Sequence, residues 1–383
     1  MVKFLKKIGS TEAVLQLREN FFFASPATKL HFLQAMERYK NCDNIKNPTR
    51  IKEEITISKK YWNCYPYHYF INNLFMAEND ISEEEIINYI PHFFWFKLFL
   101  PHYFSPKFSM IGANKIIMEH FFKAVNINRP EPAFILFNGI LYNSDMEYIT
   151  FHQAQSVLGN DDHGKLFVKP AEESGGRGIY VFSKNHQYQY VTKQNVHFNE
   201  DFLTAIGKKS DYIIQPGIVQ DTEFSRIYPD SVNTCRIITE NKNGTPRVVC
   251  AMLRMGRNHT EVDNISSGGI STHVNIQDGM FGDFAISYQG EKFERHPDTQ
   301  FIFRNNKISR WSEVKKFVTE CAGKLPFFTY IGWDISLTPD GPVAIEINTA
   351  PAIDIIEMTD GGLREAFGID DPRYYWKNPG KRI

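Results

Sequence analysis

The sequence predicts an α+β protein of 383 residues, with a mainly helical first part followed by two lobes of short strands, glycine-rich turns and a few helices. Three observations carry that reading. Residues 1–108 hold helix-start signals and aromatic runs but no glycine-rich strand–helix fingerprint, which argues against a dinucleotide fold there. Residues 109–383 show β-branched and aromatic runs bounded by Gly, Pro, Asn and Asp. Tyr330 to Pro351 reads YIGWDISLTPDGPVAIEINTAP, two apolar runs flanking Pro339-Asp340-Gly341, a turn signal that predicts a β-hairpin. The expected division is therefore a helical, aromatic-rich domain over 1–108, a first lobe over 109–220 and a second over 221–383.

The elements follow in order. Ser82 ahead of Glu83-Glu84-Glu85 and Ile86-Ile87 is a helix start, with a capping residue and acids in the first turn. Pro91 to Phe104 (PHFFWFKLFLPHYF) is too short to cross a bilayer and carries Lys97 and Pro101, so it reads as one or two buried helices. Asn114 to Ala124 reads as a helix. Strands are expected over Phe134–Tyr142, Leu166–Lys169, Ile179–Phe182, Tyr212–Gln215, Val232–Glu240, Arg247–Met255 and Ile270–Ile276.

Composition narrows the function classes. Lysine plus arginine total 43 and aspartate plus glutamate 44, and a net charge of −1 gives no global footprint for nucleic acid. Aromatic residues make up 14%, enough for well-filled cores. Cys42, Cys64, Cys235, Cys250 and Cys321 are scattered without C-x-x-C spacing, which fits reduced thiols in a cytoplasmic protein. The start, MVKFLKKIGS, lacks the long apolar stretch of a signal peptide. Its lysines beside Phe4, Leu5 and Ile8 leave a membrane-surface contact open, although a docked or frayed terminus is the commoner reading of such a segment.

The hairpin is the first candidate site. With the turn centred on Asp340, Asp334 lies opposite Glu346. Alternation places Glu346 and Asn348 on one face, Ile345 and Ile347 on the other. Two carboxylates and an amide oxygen on one face, without His or Cys nearby, suit Mg²⁺ or Mn²⁺. Mg²⁺ takes few carboxylates and completes its shell with water and phosphate oxygens, so the hairpin suggests a metal–nucleotide site. The same pattern also fits a solvated sheet face.

Upstream, Leu166-Phe167-Val168-Lys169-Pro170 puts a lysine near a strand end ahead of Ser174-Gly175-Gly176-Arg177-Gly178. Glycines let backbone N–H groups approach an anion and the ammonium neutralises it, although a hairpin loop beside a surface lysine reads the same way. It is not a Walker A loop. Lys115 sits in the first turn of a helix, where the helix dipole slightly disfavours it: an α-phosphate ligand or a solvated lysine. Ile213-Ile214-Gln215-Pro216-Gly217 reads as a strand leaving for a hinge that can offer backbone groups to adenine, with Asp221 or Glu223 near ribose, or as a plain Pro-Gly turn. Arg236 and Arg254 lie among β-branched or apolar neighbours and need a phosphate, a carboxylate or a cross-strand salt bridge. Asp263-Asn264 and Ser266-Ser267-Gly268-Gly269 form a second glycine-rich loop. Cys235 reads as core, and His259 and His273 have no ligand-spaced partners.

Taken in order, these elements resemble the ATP-grasp superfamily of carboxylate–amine ligases. They are Asn114-Lys115, Phe167-Val168-Lys169-Pro170 with its Gly loop, Gln215-Pro216, Arg236, Arg254, Asn264 with Gly268-Gly269, and Asp334…Glu346-x-Asn348. The series spans about residues 109–350 and looks most like the sugar-transfer-associated subgroup, where a helical aromatic part precedes the ATP region. It also resembles the ligases that add glutamate to a ribosomal protein. The resemblance implies two lobes sandwiching ATP, with Lys115 and Lys169 on the α- and β-phosphates and Gly175, Gly176 and Gly178 in a flap. It further implies adenine near Gln215 and Pro216, with Asp221 on the cofactor, two Mg²⁺ on Asp334, Glu346 and Asn348, and Arg236 or Arg254 at the transferred phosphoryl group. Related ligases often carry an arginine two residues before the position of Asn264. Here Val262 stands there, a departure that falls on the acyl-acceptor contacts. The implied reaction joins a carboxylate and an amine, an amino acid and a sugar among them, through an acyl phosphate in cell-surface polysaccharide synthesis. The alternatives are a kinase on the same scaffold, acting on a small molecule or sugar, or a non-catalytic nucleotide-binding protein.

Overall fold

The computed structural model describes residues 26–159, 164–173 and 177–381. Two antiparallel sheets organise the chain. The first holds β1 (Phe134–Phe137), β2 (Ile140–Tyr142), β3 (Lys165–Pro170), β4 (Tyr180–Lys184), β5 (Tyr190–Val191) and β6 (Tyr212–Pro216), in the order β2-β1-β6-β3-β4-β5. The second holds β7 (Thr234–Lys242), β8 (Thr245–Met255), β9 (Ile270–Val274), β10 (Phe281–Ser287), β11 (Lys292–Phe293), β12 (Tyr330–Thr338) and β13 (Gly341–Asn348), in the order β11-β10-β9-β8-β7-β12-β13. Among the described residues no helix is long and apolar enough to cross a membrane.

The expected strands are present with shifted ends, except that Phe134–Tyr142 is a hairpin instead of one strand. Phe137 pairs with Ile140 across Asn138 and Gly139. Both take positive φ, 50° and 75°, which the type I′ turn requires and Asn-Gly supplies at low cost. Ser82 caps the helix as expected and goes further, forming a capping box: its hydroxyl accepts from the Glu85 N–H at 3.2 Å, and the Glu85 carboxylate accepts from the Ser82 N–H at 2.7 Å. The window 91–104 folds as three successive turns of differing pitch, α over His92–Phe94, π over Trp95–Phe99 and 3₁₀ over Leu100–His102. Pro101 has no N–H and its ring crowds the carbonyl four residues back, so a uniform α ladder cannot run through it.

The second sheet is apolar on both faces, for different reasons. Cys235, Ile237, Leu253, Ile331, Trp333 and Ile347 face the helix Trp311–Gly323 and part of the helix Lys115–Ala124. On the opposite face, Ile238, Cys250, Met252 and Tyr330 pack under Trp62, Phe94, Trp95 and Phe99, together with Ile353, Ile356 and Phe367 from the last part of the chain. The change in secondary structure near residue 108 is therefore not a break in packing. Trp95 Nε1 donates to the Pro351 carbonyl at 2.7 Å, tying the helical layer to the residues just beyond β13.

Candidate active site

Each sheet turns one face toward a common cleft of about 1320 Å³, its open mouth included. Along β3, Leu166 and Val168 enter the first-lobe core, while Phe167 and Lys169 face the cleft. Along β7, Cys235 and Ile237 enter the second-lobe core, while Thr234 and Arg236 face the cleft. Of the residues singled out from sequence, Lys115, Lys169, Gln215, Pro216, Arg236, Arg254, Asn264, Asp334, Glu346 and Asn348 all line it.

Asp334 pairs with Glu346, and Gly332 with Asn348, as the hairpin reading requires. Two deviations cancel to give that register. Thr338 pairs with Gly341, so the loop is one residue shorter than a turn centred on Asp340, and a bulge beside Asp334 leaves Ile345 as an extra residue. The bulge also corrects one expectation: Ile345 lines the cleft with Glu346 and does not share the core face of Ile347.

A dense ionic cluster occupies the second-lobe wall. Arg236 grips Asp334 in a fork, Nε to Oδ1 at 2.6 Å and Nη2 to Oδ2 at 3.1 Å. Arg254 Nη2 reaches Asp334 Oδ2 at 3.0 Å and Asp263 Oδ2 at 3.3 Å, and the guanidinium donates to the Thr234 hydroxyl from Nη2 at 2.8 Å and from Nε at 3.0 Å. That hydroxyl donates in turn to Asp263. Burial pushes the Asp334 carboxyl upward, but the two guanidinium groups outweigh it and hold the group below the usual carboxylate range. Burial wins at Asp263, whose carboxyl is raised although Arg254 opposes the shift. Glu346 and Asn348 differ from both: among the described residues nothing donates a hydrogen bond to either side chain, and their oxygens are available to a ligand.

The first-lobe wall carries the lysines. Asn114 caps its helix by accepting from the N–H groups of Ile116 and Ile117 at 3.0 and 3.1 Å, while the Lys115 N–H donates to Ala171 just past β3. The Lys115 ammonium donates to the Glu173 carbonyl at 2.6 Å. The Lys169 ammonium donates to Gln215 Oε1 at 3.0 Å. Burial in the cleft pulls Lys169 down to about 8, with Lys115 adding repulsion and Glu346 and Asp263 opposing it.

Several expected residues lie elsewhere. The Asp221 carboxylate does not line the cleft; it caps the helix Thr222–Ile227 through the Glu223 N–H at 2.8 Å and pairs with Arg310 at 3.2 Å. Gly175 and Gly176 fall outside the described residues, while Arg177 and Ile179, either side of Gly178, line the cleft. His259 and His273 pair with Asp230 and Asp360 outside the cleft. Cys235 is core, its thiol pushed up by burial. Residues with no assigned role in the sequence reading include Thr234, the Glu119–Arg129 pair at 2.6 Å, and Glu261, which joins Lys165 across the lobes at 3.0 Å. The Asn243-Gly244 turn folds β7 back on β8, but its register alone would set Thr234 opposite Leu253; a bulge at Ile238/Thr239 shifts the pairing by one and brings Thr234 opposite Arg254.

The chain matches the family model described as sugar-transfer associated ATP-grasp over residues 97–367. No curated protein matches it. Similar solved structures include D-alanyl-alanine synthetase A from Vibrio cholerae O1 biovar eltor str. N16961, at 12% identity and TM-score 0.40 over 69% of this chain and 66% of that one. D-alanine–D-alanine ligase from Bacillus anthracis is similar at 14% identity and TM-score 0.36, over 70% and 66%. The ATP-grasp ligase PsnB, complexed with a phosphomimetic variant of its minimal precursor, Mg and ADP, is similar at 12% identity and TM-score 0.36, over 67% and 56%. The chain thus spans about two thirds or less of the length of these proteins.

Proposed function

We propose a function from one premise: the chain belongs to the sugar-transfer associated ATP-grasp family. The reading is an ATP-dependent ligase that joins a carboxylate to an amine, with an amino acid and a sugar as the substrate classes and cell-surface polysaccharide synthesis in the cytoplasm as the setting. The observation that carries it is the convergence of Lys115, Lys169, Arg236, Arg254, Glu346 and Asn348 on one cleft between two sheets.

The donor set fits a hard cation. Its atoms are all oxygens, and two side chains hold theirs uncommitted among the described residues. Mg²⁺ takes one or two carboxylates and completes its shell from phosphate and water. Glu346 and Asn348 would hold it, with Asp334 between them and the arginines. Bound there with ATP, Mg²⁺ would supply charge neutralisation across the phosphates.

The chain's own groups account for the rest. The ammonium groups of Lys115 and Lys169 face the cleft and give phosphate oxygens two cationic donors. Their present acceptors are a backbone carbonyl and a neutral amide, which an anion outcompetes. Phe122, Ile213, Pro216 and Ile218 give an apolar stretch of wall suited to a base. Arg236 and Arg254, locked in place by Asp334, offer preorganised positive charge where a phosphoryl group transfers to the acid. The acyl phosphate then meets the amine, and phosphate leaves as the amide forms.

The test is Mg²⁺–ATP turnover against a panel of amino acids and uronic-acid sugars, with products identified by mass. ADP, phosphate and an amide in the wild type, abolished by Lys169→Ala and Glu346→Gln, support the reading. Full turnover in either variant, or a stable phosphorylated product, overturns it.

A further inference from the structure

We infer that Gln215 is a positioning residue for Lys169, holding its ammonium at the phosphate end of the cleft and taking no part in reading the base. The inference rests on the nucleotide-binding reading above and deepens it.

Gln215 lies on β6 and Lys169 on the neighbouring β3, where Phe167 stands directly opposite Gln215 and Ile213 opposite Lys169. The two polar side chains are therefore diagonal neighbours on the cleft face, within reach of each other. Both ends of the Gln215 amide have partners. Oε1 accepts from the Lys169 ammonium at 3.0 Å, and Nε2 donates to the Pro130 carbonyl at 2.8 Å. The ammonium only donates and the carbonyl only accepts, so the amide has one orientation that satisfies both. The side chain is 8% exposed.

The far end of this strut is itself fixed. Arg129, next to Pro130, is clamped by Glu119 at 2.6 Å. The Ala133 N–H donates to the Ile214 carbonyl of β6 at 2.8 Å. Asn128 donates to the Pro342 carbonyl at 2.9 Å and accepts at its own carbonyl from the Ala344 N–H at 2.9 Å. The loop carrying the Pro130 carbonyl is thereby bonded to the first sheet and to the β12–β13 hairpin together. At the near end, Glu346, Lys115 and Asp263 are the charged groups acting on Lys169, and among the described residues Gln215 alone accepts a hydrogen bond from it. A base that took the Gln215 amide would leave Lys169 and the Pro130 carbonyl without their partner, a double cost that a positioning role avoids.

The experiment is equilibrium nucleotide binding, which needs no acid or amine substrate. Gln215→Met keeps the length and removes both polar ends, and Lys169→Met removes the ammonium. The probes are the Mg²⁺ complexes of a non-hydrolysable ATP analogue and its inosine counterpart, with melting temperature as the check on folding. Gln215→Met is expected to weaken both probes by the same factor, roughly ten- to hundredfold, the range for a hydrogen bond to a charged group. Added to Lys169→Met, it is expected to change affinity by less than about twofold, because the interaction it serves is already gone. A changed preference for adenine over hypoxanthine, an undiminished Gln215→Met effect in the Lys169→Met background, or no effect in the wild-type background overturns the inference. Where Lys169→Met binds too weakly to measure, the size of the single-variant loss and the base preference decide. A wild-type chain that binds neither probe refutes the nucleotide reading itself, and that result is visible before any Gln215 variant is compared.

Discussion

The two walls of the cleft hold their charges in different ways. On the second-lobe wall, Asp334, Asp263, Arg236, Arg254 and Thr234 are bonded to one another, and each charge is answered by another protein group. On the first-lobe wall, Lys115 and Lys169 each donate to a single neutral oxygen among the described residues. Removing one member of the first kind leaves a buried partner uncompensated, whereas removing a lysine leaves only a carbonyl or an amide without a donor. The second-lobe wall therefore combines stability with function. The first-lobe wall keeps its charges ready for a ligand at little cost to the fold.

The contrast breaks or sharpens through four changes, taken from the largest expected effect. Asp334→Asn takes the carboxylate from Arg236 and leaves Arg254 with Asp263, and should cost about 3–5 kcal/mol of folding stability as well as all ATP turnover, read by urea denaturation and ADP release. Lys169→Ala should remove turnover at least roughly hundredfold while moving stability by less than about 1 kcal/mol. Equal loss of stability in the two variants would erase the distinction. Third comes pH. Lys169 is charged below about 8 and loses its proton as pH rises through that value, so Mg²⁺–ATP affinity should be full near neutrality and fall on the alkaline side. Asp334, held below the usual carboxylate range, keeps its charge throughout that window. Titrations between about pH 6.5 and 9.5 read the fall, and an affinity that rises there contradicts the assignment. The smallest effect belongs to Lys165→Ala, which breaks a partly exposed pair with Glu261 across the lobes and should cost about 1 kcal/mol or less.

The sequence was most legible where local chemistry decides structure. The Ser82 capping box, the Asn114-capped helix and the pairing of Asp334 with Glu346 all follow from short-range signals. The pairing of Asp334 with Glu346 agrees with a turn centred on Asp340 because the extra residue at the bulge offsets a loop one residue shorter; either deviation alone would turn the side chains to the opposite face. Legibility failed where the partner lies far along the chain. Asp221 reads as a cleft acid until Arg310 and the helix it caps are known. Gln215 reads as a hinge residue until Lys169, 46 residues away, and the Pro130 carbonyl, 85 residues away, are placed beside it. No composition or periodicity reports that the aromatic residues before 108 and those after 350 close one core.

That shared core has a consequence for the order in which the chain is made. Trp95 waits for Pro351, 256 residues later, and the Trp62 carbonyl waits for the indole of Trp376, 314 residues later. Until those residues leave the ribosome, Phe94, Trp95 and Phe99 have no final cover, and the outer half of the second sheet has none either. Folding from the N-terminus, the usual course during synthesis, can complete the small cluster around Phe32, Ile55 and Phe70 but not this layer. Pro351 and the segment through Trp376 act as a closing clasp, and a nascent chain stalled before residue 351 presents an aromatic surface of the kind chaperones hold.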